Sequence, residues 1–452
     1  MRTLRFERGT ILLEDFPAND VPPGFVFDTR VGMPRAHALA YASVALDLHR
    51  RSVPYRDEAK AYEVLEADHS TVREPRAYQA GALDAWKAAG RRGTVVLPTG
   101  AGKSFVAEMC IADARRATLV VAPTLDLVGQ WYDQLRAAFG DPVGVLGGGV
   151  HEVHRVTVAT YDSAYLHMER YGDRFGLVVF DEVHHLPSRA YAHAAEAMIA
   201  PFRLGLTATL ERTDGLHQDV DRLVGPVVYR KEITELSGIF LAEYRTELIE
   251  VRLDDHEQAA HDEARTRFRM FCDDRGLRLG GQGGWSRFLR EAARSAEGRA
   301  ALAGWRESRR ILQGSGSKLR VLEQLLRRHV EGRCIIFTND NETVYAISRR
   351  FLIPAITHQT GLKERQATLA AFSSGDLPAI VTSRVLNEGV DLPSADVAIV
   401  LSGTGTVREH VQRLGRILRR SEGKQAILYE VIVKGSSEER TSARRREHDA
   451  YR

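Results

Sequence analysis

Two stretches of the chain carry residue types whose spacing suits nucleotide chemistry. In Leu97-Pro98-Thr99-Gly100-Ala101-Gly102-Lys103-Ser104, two glycines precede a lysine and a serine. Gly100 and Gly102 let backbone N–H groups turn inward around phosphate oxygens, with Thr99 and Ala101 completing the loop, at the positive end of a helix. Lys103 would reach the β and γ phosphates and Ser104 would ligate Mg²⁺. The strict pattern G-x-x-x-x-G-K-[ST] asks for glycine at position 97, where this chain has Leu97. Downstream, the apolar run Leu177 to Phe180 ends on Asp181-Glu182-Val183-His184. A buried parallel strand delivers carboxylates at its C-terminal edge in this way. Asp181 would hold Mg²⁺ through water, and Glu182 would position or deprotonate an attacking water. Taken singly, the first stretch is also a glycine turn beside a solvated lysine and the second a solvated acidic turn. The order strand, loop, helix, strand, carboxylates favours the chemical reading of both.

A third stretch, Gln412-Arg413-Leu414-Gly415-Arg416-Ile417-Leu418-Arg419, offers arginines that the first two lack. Arg416 and Arg419 stand three apart, so on a helix they share a face. Alone, the segment would equally serve as a basic surface helix.

The elements that must position these groups emerge from hydrophobic periodicity. Apolar strands near Val95, Val120, Val158, Val178 and Leu204 alternate with helical stretches, the rhythm of a parallel sheet covered on both faces. A second set near Ile335, Ile356, Ile380, Ile399 and Ile427 repeats it after Gly314-Ser315-Gly316-Ser317, which reads as a linker. Ahead of both sets, Leu4, Phe6, Ile11 and Leu13 flank Arg8-Gly9 as a hairpin, and an alanine-rich helix is predicted from about Pro34 to Arg51. The chain therefore divides into a small domain at 1–70, an α/β domain at 71–252, a helical segment at 253–313 and a second α/β domain at 314–452.

The 253–313 segment is rich in arginine. Residues 261–310 hold twelve arginines, no lysine and seven acidic residues, a net of +5 against +3 for all 452 residues. Arginine suits forked phosphate contacts and base stacking. Arg267 and its neighbours interleave with Phe268, Phe271, Trp285, Phe288 and Trp305, which reads either as a duplex grip or as a solvated helical face with its aromatics turned inward.

Composition bounds the remainder. A chain this long exceeds what one hydrophobic core usually supports. The net charge of +3 is too small to mark a polyanion partner by itself, so any nucleic-acid surface must be local. Cys110, Cys272 and Cys334 are isolated, which argues against disulfides, zinc ribbons and iron–sulfur clusters. No apolar run reaches membrane-spanning length, and Met1 opens onto Arg2, Arg5 and Arg8 without a signal core, so the cytoplasm is the expected compartment. His151-Glu152-Val153-His154 is not a zinc-protease motif, because its histidines stand three apart rather than four.

The ordered series LPTGAGKS, VVAPTLDLVGQW, VTVATYDSAY, DEVHH, GLTATLERTDG, CIIFTND, AIVTSRVLNEGVDLP and QRLGRILR resembles the motif set of superfamily 2 helicases. Within it the chain is similar to the XPB family of DNA repair helicases, especially the compact archaeal form, and the similarity covers nearly the whole chain. In that family a leucine is usual at the position of Leu97. The resemblance implies two RecA-like parallel-sheet domains, a small N-terminal domain associated with recognising distorted DNA, and a helical thumb-like insertion that contacts DNA. Carried over residue by residue, it implies that Gln79 reads adenine and that Thr207-Ala208-Thr209 couples the nucleotide site to domain movement. Glu388, Gly389 and Asp391 would sense nucleotide across the cleft, and Gln412, Arg416 and Arg419 would form the arginine-finger motif. Arg212 and Asp214 match two members of an Arg-Glu-Asp trio implicated in duplex opening, with Thr213 where the family has glutamate.

The resulting expectation is an ATP- and Mg²⁺-dependent 3′–5′ DNA helicase or translocase. It would act on single-stranded and forked or distorted duplex DNA in nucleotide excision repair, alongside a structure-specific repair nuclease. An RNA-directed motor of the same superfamily and a nucleotide-switched scaffold that binds distorted DNA are the alternatives.

Overall fold

The computed structural model describes residues 1–66, 69–70, 73–140, 142–210, 215–236, 243–279, 283–383, 395–402 and 425–446. They form two compact units that meet in sequence between Glu235 and Leu236.

The first unit opens with a five-stranded sheet. Its elements are β1 (Thr3–Glu7), β2 (Thr10–Glu14), β3 (Val26–Asp28), β4 (Met33–His37), α1 (Tyr41–Arg50) and β5 (Arg56–Glu58), in strand order β3-β4-β2-β1-β5. The predicted hairpin is present: Glu7 pairs with Thr10, and both loop residues take positive φ, Arg8 at 43° and Gly9 at 76°. A two-residue turn of that hand matches the twist of the flanking strands. A side chain at position 9 would also meet the Ala197 side chain at 2.8 Å, so the turn is fitted against the larger domain of this unit. The alanine-rich helix is shorter than predicted. Met33–His37 pairs with β2, and strand pairing overrides the helical preference of the alanines until Tyr41.

The larger domain of this unit carries an eight-stranded sheet. Its strands are β6 (Arg92–Val96), β7 (Thr118–Ala122), β8 (Val143–Gly147), β9 (Val150–His151), β10 (Val156–Thr160), β11 (Leu177–Asp181), β12 (Phe202–Thr207) and β13 (Val227–Arg230). Their order is β13-β6-β12-β11-β7-β10-β8-β9, all parallel apart from the β8–β9 hairpin. The covering helices are α2 (Ala77–Ala88), α3 (Lys103–Ala114), α4 (Leu125–Phe139), α5 (Tyr161–Tyr171) and α6 (Arg189–Glu196), with short α7 (Asp219–Leu223) and α8 (Ile233–Leu236). β12 lies between β6 and β11, and β11 lies beside β7. The loop after β6, the acidic end of β11, the end of β12 and the start of α4 therefore share one carboxyl edge.

The second unit holds a six-stranded, all-parallel sheet of β14 (Glu243–Val251), β15 (Cys334–Phe337), β16 (Ala355–Ile356), β17 (Ala379–Thr382), β18 (Val397–Val400) and β19 (Gln425–Val433). Its helices are α9 (Asp255–Asp274), α10 (Gly284–Arg294), α11 (Ala296–Gly314), α12 (Gly316–Arg328), α13 (Asn341–Phe351) and α14 (Leu362–Ser374), with a last helix at Ser437–Arg446. Two expected boundaries move. β14 pairs with β19 over nine positions, so the first α/β domain ends before 252 and the helical segment is inserted within the second. Gly314 to Ser317 is a tight joint rather than a linker. Ser315 is buried and caps α12 by accepting the Lys318 N–H, while the Gly316 N–H donates to Glu257 at 2.8 Å. No helix of the described residues is long and apolar enough to cross a membrane.

Candidate active site

The phosphate loop is shaped before any ligand arrives. Leu97 is buried, and its N–H donates to the Thr207 carbonyl at 3.0 Å, which continues the pairing of β6 with β12. A strand-end residue there needs an apolar side chain, not a glycine's freedom, which accounts for the departure from the strict motif. The freedom is used a few residues later. Gly100 (φ 85°) and Gly102 (φ 77°) are left-handed, and Gly102 is the N-cap of α3. A side chain at Gly102 would lie 2.6 Å from Gln79 Nε2. The Gln79 amide donates to the Ala101 carbonyl at 3.0 Å and accepts the Arg76 N–H at 3.0 Å, and the Tyr78 hydroxyl donates to the same Ala101 carbonyl at 2.8 Å. α2 thus braces the loop from behind. Lys103 Nζ reaches the Leu97 carbonyl at 3.3 Å across the loop.

The two carboxylates are held by different elements. Asp181 is buried at the end of β11, its Oδ2 accepting the Trp131 indole N–H at 2.9 Å and its Oδ1 the Glu182 N–H at 3.0 Å. Its backbone carbonyl accepts the Tyr161 hydroxyl at 2.9 Å. Burial raises the Asp181 carboxyl above its ordinary range, against the Trp131 hydrogen bond, the Lys103 charge, the Glu182 N–H and His185. Burial likewise pushes the Tyr161 phenol well up, reinforced by Asp181 and Glu182, so it stays a neutral donor. Glu182 takes a left-handed backbone, φ 48° and ψ 53°, an uncommon state for a non-glycine residue and one concentrated at functional sites. That turn aims its Oε2 at Thr207 Oγ1 (3.4 Å) and His184 Nδ1 (3.4 Å). Thr207 Oγ1 also lies 3.1 Å from His184 Nδ1, 3.2 Å from the Thr209 N–H and 2.8 Å from the Thr209 carbonyl. Thr207, in the segment expected to couple the nucleotide site to domain movement, thus meets His184 through this hydroxyl.

The residues fit a magnesium nucleotide. The loop is glycine-turned into a helix N-terminus, and a buried carboxylate raised by desolvation faces the same edge. The Thr99 hydroxyl is buried without a hydrogen-bond partner among the described residues. A metal-bound phosphate would complete each of these. Ser104 stands in the first turn of α3, beside Lys103. Sequence reasoning missed three supports: Tyr78, Trp131 and Tyr161. Trp131 lay inside a recognised motif, but nothing in its spacing said that the indole meets Asp181.

Arg212, Asp214, Glu388, Gly389, Asp391, Gln412, Arg416 and Arg419 lie outside the described residues. In the helical insertion, Phe271 and Phe288 are buried in one small core with Ala292 and Ala301, and Trp285 packs between Phe288 (5.0 Å) and Trp305 (4.5 Å). Phe271 is therefore a core residue rather than a DNA contact, and Trp285 is half-buried against the same core. Of the two readings the interleaved sequence left open, the burial of Phe271 and Phe288 supports the face whose rings turn inward. Arg267 is the exception among the named contacts, with a half-exposed side chain.

Three family models match the chain: the Xeroderma pigmentosum group B helicase damage recognition domain over residues 4–59, the res subunit of type III restriction enzymes over 73–212, and the helicase conserved C-terminal domain over 317–421. The chain is 40% identical over 428 residues to a DNA 3′-5′ translocase XPB2 of Sulfurisphaera tokodaii, covering 89% of this chain and 97% of that one. It is 33% identical over 387 residues to a DNA 3′-5′ helicase XPB of Kineococcus radiotolerans, covering 82% of this chain and 62% of that one. The helicase domain of Pyrococcus furiosus Hef shares the fold, with a TM-score of 0.54 and 20% identity over 82% of this chain and 97% of that one. With its phosphate loop, its paired carboxylates and these matches from the N-terminal sheet to the second α/β domain, the chain belongs to the XPB family of helicases.

Proposed function

We propose that this protein is an ATP-dependent 3′–5′ DNA translocase and helicase that opens duplex DNA in nucleotide excision repair. The carrying observation is the convergence of Lys103, Asp181 and the Glu182–His184–Thr207 network on one sheet edge. The printed activities of the translocase and helicase relatives support the choice of DNA and of polarity.

Magnesium ATP, when bound, supplies the phosphoryl group and the divalent charge. The loop amides around Gly100 and Gly102 would cradle phosphate oxygens, and Lys103 would leave the Leu97 carbonyl to neutralise them. Asp181 and Ser104 would hold the metal, while Glu182 would orient a water and accept its proton. Gln79 would meet the base while bracing the loop. The second α/β domain would contribute Glu388, Gly389, Asp391 and Gln412, with Arg416 and Arg419 stabilising charge that develops on the transferred group. Such arginine fingers are worth on the order of 10³ to 10⁵ in rate. Arg212, Asp214 and exposed arginines such as Arg267 would contact forked or distorted duplex DNA. A structure-specific repair nuclease is the expected protein partner, and the cytoplasm its compartment.

The test is steady-state ATP hydrolysis by wild type and Glu182→Gln, with no nucleic acid, single-stranded DNA, forked duplex DNA or matched RNA, at two salt concentrations because phosphate contacts are salt-sensitive. Strong stimulation by forked DNA, none by RNA, and loss of turnover in Glu182→Gln are the expected results. Equal or better stimulation by RNA would redirect the assignment to an RNA motor. Turnover unchanged by any nucleic acid would sink the motor reading.

A further inference from the structure

We infer that the second unit carries a small-molecule site of its own, a cavity between the helical insertion and the second α/β domain that takes a nucleoside phosphate, with the phosphate at an arginine mouth and the base against an aromatic wall. The cavity holds about 430 Å³. Small-molecule sites span about 300–1,000 Å³ and set a few convergent polar groups among apolar walls. One side is built by α9 and α11, which supply Arg265, Phe268, Trp305 and Arg309. The other is built by the end of β18, by β19 and by the last helix, which supply Glu430 and Glu438 among others. The lining belongs entirely to the second unit, whereas the phosphate loop and the Asp181–Glu182 pair belong to the first.

Charge is unevenly placed around this lining. Arg265 is half-buried and makes no hydrogen bond or ion pair among the described residues. Burial, then the charges of Arg269 and Arg440, hold its guanidinium below the ordinary range, with Asp262 opposing them. Arg269 and Arg440 are exposed, so this cluster marks the open side of the cavity. Like charges gathered around a half-buried group cost free energy that an anion between them returns. Beside them, the Arg309 guanidinium lies 5.0 Å from the centre of the Trp305 ring. A guanidinium stacked in this way keeps its fork of N–H groups for a phosphate held next to a flat ring. The aromatic wall is fixed from within the insertion, Trp305 against Trp285 at 4.5 Å and Phe268 against Phe288 at 5.2 Å. The opposite wall turns the ligand round. Both oxygens of Glu438 accept from the fully buried Lys318, at 2.8 and 2.7 Å, which neutralises that acid. Glu430 is buried in β19 and, paired in register with Val400, shares its face of the sheet. A carboxylate there repels phosphate and accepts N–H groups. The anion therefore belongs at the arginines and the amino edge of a base at the floor. A nucleotide meets all three walls, and inorganic phosphate meets one. This inference does not depend on the functional proposal above.

The experiment is calorimetric titration of the full-length protein with adenosine 5′-monophosphate in the absence of Mg²⁺. It is run on Lys103→Ala, which weakens the phosphate loop of the first unit, so that binding which survives reports another site. Arg265→Gln and, separately, Arg290→Gln are then added to that background; Arg290 is an exposed arginine of α10 that does not line the cavity. The Lys103→Ala protein should still bind the monophosphate. Arg265→Gln should weaken that binding about tenfold or more, as loss of a charge-assisted hydrogen bond does, and Arg290→Gln should leave it unchanged. Inorganic phosphate, which lacks the base and its stacking, should compete at least roughly tenfold less well than the monophosphate. A 5′-phosphorylated oligonucleotide is the second competitor: displacement by it would assign the site to the end of a strand, and displacement by free monophosphate alone to a free nucleotide. Three results would each overturn the proposal: no binding in Lys103→Ala, equal losses in the two arginine variants, or inorganic phosphate competing as well as the nucleotide.

Discussion

Arg203→Met should destabilise the first unit by about 3–5 kcal/mol, the balance of four orphaned buried carbonyls against the desolvation recovered, while sparing its chemistry at temperatures below the transition. Arg203 is the second residue of β12, is fully buried, and has no carboxylate partner among the described residues. Its guanidinium donates to four carbonyls: Ala200 at 3.1 Å, Ala195 at 3.0 Å, Leu223 at 2.8 Å and Met198 at 2.6 Å. Ala195 and Leu223 lie in the last turns of α6 and α7, where helical carbonyls have no intrahelical donor. One side chain thus closes two helix ends and the loop that joins α6 to β12. Burial, with the nearby Arg92 charge adding to it, holds the guanidinium well below its ordinary range, so desolvation opposes this arrangement. Each carbonyl left without a donor costs about 1–3 kcal/mol, and the desolvation recovered by an apolar side chain returns several kcal/mol. The carbonyls should win because four are lost together. At about 2–4 °C per kcal/mol for a unit of this size, the transition should drop by roughly 10 °C. Thermal unfolding followed by tryptophan fluorescence is the assay, since the Trp86 indole donates to the Arg203 carbonyl at 2.9 Å and reports this region. A variant that melts with or above wild type would refute the reasoning, by showing that desolvation of the cation outweighs its hydrogen bonds.

The same distances set other outcomes. Thr207→Val removes the hydroxyl shared by Glu182, His184 and Thr209, and should lower kcat about tenfold, as loss of a supporting contact at a metal site does, with little change in nucleotide affinity by equilibrium binding. Phe271→Ala should destabilise the helical insertion by about 3–5 kcal/mol through an internal cavity, whereas Arg267→Ala should leave the melting curve unchanged and reduce the salt slope of DNA binding by about one unit, measured by anisotropy on a labelled fork. Asp113 is opposed by burial, but hydrogen bonds from Lys87 and Arg91 outweigh it and hold the carboxyl below its ordinary range. A depressed carboxyl contributes stability above its unfolded pKa and loses it as pH falls through the folded one. Asp113→Asn should therefore lose about 1 kcal/mol at neutral pH, and its denaturation midpoint should converge on that of wild type as the medium is acidified.

The strands that carry the chemistry were legible because they are buried on both faces. β6 and β11 read as continuous apolar runs, and the sheet fixes the position of the loop at the end of each run. The loop glycines were legible because positive φ at the phosphate loop restricts residue choice. Assignments that depended on which partner an element would choose were not. β14 alternates like any strand, and no local signal says that it crosses to pair with β19. Gly314 to Ser317 has the composition of a linker, yet the Ser315 cap and the Gly316–Glu257 bond make it a joint. Phe271 stayed between grip and core in the sequence because charges and rings alternate along the chain while burial obeys the helical period. Trp131 was invisible for a different reason. Its partner lies on a strand made adjacent to β7 by sheet order, and sheet order is not written in spacing.

The carboxylate pair is consecutive in sequence but divided in support, and that division bears on how a motor of this kind is controlled. Asp181 takes its external donor from α4, which leads to the exposed hairpin edge. Glu182 is turned by a left-handed backbone toward the neighbouring His184 and toward Thr207 at the end of β12, which runs on in sequence toward Arg212 and Asp214. The roles proposed for the pair, holding a metal and activating a water, would thus answer to two different elements. The left-handed turn at Glu182 is what aims its carboxylate at Thr207, since an extended residue there would point to the opposite face of the sheet from Asp181. A site arranged in this way can bind nucleotide with its metal carboxylate in place while its base still waits on β12. Binding and hydrolysis are then separable steps, as a motor that must hold ATP until it meets its track requires.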